Sequence, residues 1–263
     1  MRSGDWTRNP FGACAVVIGR GTPYISRVWL ICYRIWLICG VALLLAAAAP
    51  LAQAQTAEDK LGNWLIYNGT FRFSDRWSMF TEAQLRLYEP VSNRNEAFAR
   101  VAPQYHFTPD ALAAVGYLRG ATWPFDDTAG DSLDTTENRI YEQFSIHHDW
   151  DRTNFEHRYR LEQRWIERAD ETEYSSRARY RIQITVPLNR KAMEPGAFFV
   201  NAYDEIFINL GSAAHFDQNR LYGAGGYQFS PNTLLQLGYL YNTRQTENLH
   251  RLQMFLTWNF DLR

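Results

Sequence analysis

The chain has 263 residues, 46% hydrophobic and 15% aromatic, with 27 basic and 28 acidic side chains and a formal charge of −1. That balance argues against a nucleic-acid binder, which normally carries a strongly basic surface. All three cysteines, Cys14, Cys32 and Cys39, lie near the start, so the rest of the chain is not a disulfide-stapled scaffold.

In chain order, the first feature is the apolar run "VWLICYRIWLICGVALLLAAAA" at 28–49, closed by Pro50. Ala52-Gln53-Ala54 follows as a small-x-small site, with Gln55 as the expected new N-terminus. This is the pattern of a secretory signal peptide. The run is also long enough to span a membrane as a helix. Arg34 interrupts it, however, and its alanine-rich end suits cleavage. Residues 1–27 exceed an ordinary n-region, which suggests a translation start near Val28. The expected organisation is an N-terminal extension plus signal peptide at 1–54 and one domain at 55–263. Cleavage would leave 22 basic and 27 acidic residues, a net charge of −5, and no cysteine.

From residue 64 onward the period is two, which signals β-strands. In "RWSMFTEAQLRLY", Trp77, Met79, Ala83, Leu85 and Leu87 share one face, and Glu82, Gln84 and Arg86 the other. In "NFEHRYRLEQRW", Phe155, Tyr159, Leu161 and Trp165 oppose Glu156, Arg158, Arg160, Glu162 and Arg164. In "SRARYRIQITVPL", Ala178, Tyr180, Ile182, Ile184 and Val186 oppose Arg177, Arg179 and Arg181. The final run sets Leu252, Met254, Leu256, Trp258, Phe260 and Leu262 against mostly polar partners. Strands are predicted at 64–73, 76–88, 96–107, 111–119, 138–148, 154–166, 176–188, 198–209, 218–229, 233–243 and 250–262.

A repeated phrase marks the corners. "FTPDALAAVGYL" begins at Phe107 and "FSPNTLLQLGYL" at Phe229, with six positions in common. Pro followed by Asp or Asn is turn chemistry, so each copy is a strand, a tight turn and a returning strand. Short connections at 108–110 and 230–232 alternate with longer polar ones at 119–136 and 167–174.

Strands of ten or more residues, Arg and Glu at mid-strand on one face, and Trp and Tyr on the other favour a membrane barrel over a soluble sandwich. Lipid permits strands only when the sheet is closed. The expected fold is all-β: a closed antiparallel transmembrane β-barrel of ten to twelve strands. Eleven runs are visible, and the even-number habit of bacterial barrels points to twelve. Short turns would face the periplasm and long loops the outside. Asp261-Leu262-Arg263 after Phe260 is a weak version of the terminal aromatic that signals barrel assembly.

Candidate lumen-lining residues are Glu82, Gln84, Arg86, Glu156, Arg158, Arg160, Glu162, Arg164, Arg177, Arg179, Arg181, Glu205 and Arg220, with Glu142 beside them. Two readings stand open: a paired network that fills a narrow barrel, or an arginine ladder that guides anions. Catalysis is weakly supported. Ser145 and His147 share a face near a membrane rim, which admits a phospholipase-like site. His147 and His148 point to opposite faces and cannot chelate together. His215 and Asp217 fall in an expected loop, and Gly223, Gly225 and Gly226 in a strand. No cofactor or metal site is expected.

Several segments together carry a family resemblance: Glu82-Ala83-Gln84-Leu85-Arg86, Gly116-Tyr117, Glu142-Gln143, Arg160-Leu161-Glu162-Gln163-Arg164, Arg179-Tyr180-Arg181, Glu205, Phe216-Asp217-Gln218-Asn219-Arg220 and Gly238-Tyr239. In order and spacing they resemble the proteobacterial proteins grouped as domain of unknown function 2490, over about residues 62–263. The resemblance implies an outer-membrane β-barrel and no established activity. The expected role is a small porin-like channel for polar or anionic solutes in a Gram-negative outer membrane. The alternatives are a closed structural or adhesive barrel acting through its loops, and a membrane-embedded lipid-modifying enzyme. Expected partners are outer-membrane lipid, the barrel-assembly machinery and small solutes.

Overall fold

The computed structural model describes residues 60–124, 133–169, 171–211 and 213–263. The apolar run, its cleavage site, the cysteines and the middle of the 119–136 loop lie outside them. The described residues contain no helix. They form eleven strands: β1 (Gly62–Arg72), β2 (Trp77–Leu87), β3 (Arg94–Thr108), β4 (Ala111–Thr122), β5 (Thr135–Trp150), β6 (Thr153–Arg168), β7 (Glu171–Pro187), β8 (Phe198–Leu210), β9 (Ala214–Gln228), β10 (Thr233–Arg244) and β11 (Asn248–Asp261).

The strands follow one another around a closed barrel, each antiparallel to the next, and β1 meets β11. The expectation of twelve strands, all antiparallel, is corrected here. With eleven, the first and last strands run the same way, so the seam is parallel, from Gly62↔Arg251 to Arg72↔Asp261. A parallel ladder satisfies the backbone as an antiparallel one does, with slanted bonds. Closure at an odd count therefore leaves no exposed edge.

The repeated corners form as their residues dictate. Thr108 Oγ1 accepts from the Asp110 amide at 3.2 Å, and Ser230 Oγ from the Asn232 amide at 3.2 Å. Each is a hydroxyl closing a local turn. The shared glycines have a packing role. A Cβ at Gly116 would stand 2.1 Å from Tyr141 Cζ, and one at Gly238 would stand 2.6 Å from Tyr222 Cε2. In both copies the missing side chain lets an aromatic ring of the neighbouring strand lie flat along the inner wall.

Two expected loops prove to be strand. The 167–174 connection shrinks because β6 reaches Arg168 and β7 starts at Glu171, pairing Arg168↔Glu171. His215 and Asp217 belong to β9, where a register shift between Phe207 and Ile208 accommodates an extra residue.

The faces alternate as the period of two requires. Outward stand Trp77, Phe107, Tyr159, Leu161, Phe198, Leu237, Leu256 and Trp258, all large, apolar and exposed. Inward lie the charged residues and a cluster of Trp64, Ile66, Tyr203, Tyr222 and Leu240. That cluster joins β1 to β8, β9 and β10 across the lumen, so the barrel is narrow enough for opposite walls to touch.

Candidate functional site

The lumen differs from end to end. One end carries the turns at 73–76, 109–110, 151–152 and 229–232 and the segment 188–197. The other carries 88–93, Ala169 and 245–247. Toward that second end Leu118, Phe207, Leu240 and Asn242 are almost wholly inaccessible, and the interior is filled. Toward the first end lies a cavity of about 470 Å³. Thr70, His106, Leu112, His147 and Leu234 line its upper wall, and Met193 reaches it from the 188–197 segment.

Nine arginines line this cavity (Arg86, Arg100, Arg139, Arg158, Arg160, Arg177, Arg179, Arg181 and Arg220), against three glutamates, Glu82, Glu156 and Glu205. Alternation puts them there. Arg158 and Arg160 of β6 pair in register with Arg181 and Arg179 of β7, so four guanidinium side chains leave adjacent inward positions. Such crowding is tolerable only with carboxylates between them.

Glu162, 1% exposed, is the principal such carboxylate. It accepts from Arg177 Nε at 3.0 Å and Nη2 at 2.8 Å, from Arg179 Nη1 at 2.5 Å and from Arg139 Nη1 at 3.4 Å. Arg160 Nη1 lies 3.6 Å away. Glu205 accepts from Arg158 at 2.7 Å and from Arg179 at 3.1 and 2.8 Å. Arg179 thereby ties β6 to β8. Glu82 takes Arg100 at 2.5 Å, Glu156 takes Arg181 at 3.0 Å, and Arg164 makes a forked contact with Glu137 at 2.8 and 3.1 Å. Arg86 pairs with Glu96 and receives Gln84 Oε1 at 3.1 Å as a further acceptor.

Aromatic rings cover many guanidinium faces. Arg86 sits 3.8 Å from the Trp64 centroid, Arg160 4.3 Å from Tyr141 and Arg179 4.3 Å from Phe207. Such stacking suits cations held away from water. Arg220 differs from the rest. It lies 4.6 Å from Phe207 and 5.1 Å from Trp64, and it has no hydrogen bond or ion pair among the described residues.

The thirteen residues singled out from sequence all come from inward positions, and eleven of them line the cavity. Glu162 and Arg164 sit beyond it, toward the filled end. Glu142 is a correction. Tyr141 and Gln143 line the cavity, so Glu142 faces outward, where it accepts from Gln163 at 3.1 Å. Sequence reasoning missed Arg100 and Arg139. The alternation Phe98, Arg100, Ala102, Gln104, His106 carried the first signal, but apolar residues share that face and obscured it.

The Ser145–His147 suggestion changes too. Both residues line the interior, not a rim, and Ser145 Oγ accepts from Gln143 at 3.1 Å. The close hydroxyl–imidazole contact is instead Ser78 Oγ to His106 Nε2 at 2.8 Å. The other ring nitrogen, His106 Nδ1, has no partner, so no carboxylate orients it as a triad requires. Among the described residues no group of three His, Cys, Asp or Glu could hold a metal.

Comparison with known proteins places a family profile described as "Protein of unknown function (DUF2490)" over residues 61–253. No curated protein and no solved structure matches the chain.

Proposed function

Because the chain belongs to the DUF2490 family, whose description assigns no activity, we propose its function from the barrel itself: a porin-like protein of the bacterial outer membrane that admits small anionic solutes. In this reading residues 1–54 direct export and are removed, and 55–263 insert with the help of the assembly machinery. Support for the membrane comes from the outer face, where large apolar residues stand exposed around a closed barrel. In water a patch of that extent would drive association. In lipid it is the expected outer surface.

The observation that carries the solute class is the cavity's nine arginines, which share seven carboxylates: Glu82, Glu156 and Glu205 at the cavity, and Glu96, Glu137, Glu162 and Asp217 beside it. A narrow space walled by low-dielectric protein concentrates the field of such an excess, and rings of fixed charge set the sign of what enters. In the orientation that the short turns imply, the cavity opens to the periplasm at 109–110 and 229–232, and solutes reach it past the filled outer end. The filled end limits passage, so conductance is small.

The test is reversal potential and single-channel conductance of the refolded protein in a planar bilayer under a salt gradient. Anion preference that falls in Arg160→Ala and Arg179→Ala supports the proposal. Cation preference, or wild-type selectivity in both variants, overturns it. The filled end favours one second reading, a closed barrel that acts through its loops. Absence of conductance from correctly folded protein would select it.

A further inference from the structure

The outer wall is not apolar throughout. Glu142 stands near the centre of β5, exposed on the outer face. Asp204 stands at the centre of β8 and is exposed too; its neighbours Tyr203 and Glu205 line the cavity, so it faces outward. Both acids are framed by apolar side chains. Ile140, Phe144, Val115 and Leu161 surround Glu142, and Ala202, Ile206, Ile182 and Leu221 surround Asp204. Each accepts one amide hydrogen bond, Glu142 from Gln163 at 3.1 Å and Asp204 from Asn219 at 2.7 Å. Neither has an ion-pair partner among the described residues. Carboxylates at such a depth are costly against lipid, and membrane proteins normally turn them toward other protein groups.

The same wall carries a complement. Arg119 of β4 alternates with the buried Leu118 and Gly120, so it faces outward, and it is exposed. It has no hydrogen bond or ion pair among the described residues. Within one barrel β4 and β8 are four strands apart, which puts Asp204 out of its reach. A second copy related by a two-fold axis along β6 removes the gap. That axis sets β4 of one copy against β8 of the other, and β5 against β7. Arg119 of each copy then faces Asp204 of the other, which is the reciprocity of an isologous contact. Shape agrees with charge. A groove of about 460 Å³ crosses the wall where Ala178 of β7 leaves room beside Leu161, Tyr180 and Ile206. The exposed Ile140 of the opposing β5 faces it.

We infer that the β4–β8 wall is the contact between two copies of this chain in the membrane, with Arg119 and Asp204 paired across it. This rests on the proposed membrane location and is independent of the solute class. Acyl chains fill the groove but offer no cation to Asp204. A second copy does both.

The experiment is sedimentation equilibrium of the full protein in density-matched detergent micelles, alongside flotation with phospholipid vesicles. The wild-type protein should float and should sediment as a dimer. Ala178→Trp fills the groove, and Arg119→Glu sets like charges face to face. Each should raise the dimer dissociation constant about tenfold or more. Arg119→Asp combined with Asp204→Arg exchanges the two charges and should restore the dimer. Leu256→Trp puts the same ring on β11, across the barrel, and should change nothing. Heat-dependent gel migration identifies the variants that are folded. A monomer that floats overturns the inference and leaves the membrane reading standing. A dimer indifferent to either Ala178→Trp or Arg119→Glu, or not restored by the charge exchange, overturns it as well. Failure to float overturns the membrane reading and the inference with it.

Discussion

Replacing Glu162 by Gln removes one charge and almost no volume. Three arginines, Arg139, Arg177 and Arg179, donate to that carboxylate from both neighbouring strands, and Arg160 stands 3.6 Å away. Its side chain is 0% exposed, so water cannot substitute for it. Breaking a buried ion pair by removing one partner costs about 3–5 kcal/mol, because the other charge is left uncompensated. Arg179 retains Glu205 and Arg139 retains Glu137, which holds the expected loss near the lower figure, about 3 kcal/mol. Urea unfolding with an m-value of about 2 kcal/mol/M would then show a midpoint lowered by about 1.5 M. Asp134→Asn is the control. Its side chain is 37% exposed and that of its ion-pair partner Arg168 is 70% exposed, and its loss should be about 0.5 kcal/mol. Equal, small shifts in the two variants would mean that the interior is wet enough to screen the network. The proposal of a low-dielectric, field-concentrating lumen would then fail.

Trimming the filled end with Leu118→Ala and Leu240→Ala together should raise single-channel conductance several-fold, at a stability cost of about 2–5 kcal/mol per site; unchanged conductance would show that the constriction lies elsewhere. Gly116→Ala should destabilise by about 1–3 kcal/mol through the clash with Tyr141, and adding Tyr141→Leu should recover most of it in a denaturant midpoint. In the 88–93 loop, hydrogen bonds from Lys60 and Ser92 hold the Glu89 carboxyl below the usual carboxylate range. Its contribution is present above the unfolded value of about 4.3 and is lost as pH falls through the lower folded value. Proteolytic nicking of the loop should therefore rise on acidification below about pH 4, and Glu89→Gln should be nicked equally at both pH values.

All eleven strands were visible in the sequence, and their ends moved by only a few residues. Alternation does this work, since a charged interior and an apolar outer face claim successive residues in turn. The even-number habit misled, because it is a statement about other barrels and not about Gly62–Arg72 and Asn248–Asp261. No local signal distinguishes a strand that will pair in parallel from one that will not. The site was legible as a set of inward arginines. Which carboxylate neutralises which arginine was not, because Arg158–Glu205 and Arg177–Asp217 join residues 47 and 40 positions apart. Glu142 was misplaced for a simpler reason: acidic side chains were assigned inward by type, against the phase set by Tyr141 and Gln143.

The parallel seam has a consequence for how the barrel comes together. Ten of the eleven strand pairings join neighbours in sequence and are cheap to form. The eleventh must gather Lys60 and Arg251, whose contact at 2.8 Å closes a span of 191 residues. Loop-closure entropy makes this the most demanding step, and long-range pairing is slow. No turn connects β1 to β11, so no hairpin geometry dictates their register. Side chains must do so, and Phe71 stacked on Phe260 at 4.6 Å is placed to act as the latch. Before the latch engages, β1 and β11 are two unsatisfied edges of an otherwise finished sheet. Such edges are templates for pairing with a second copy of the chain.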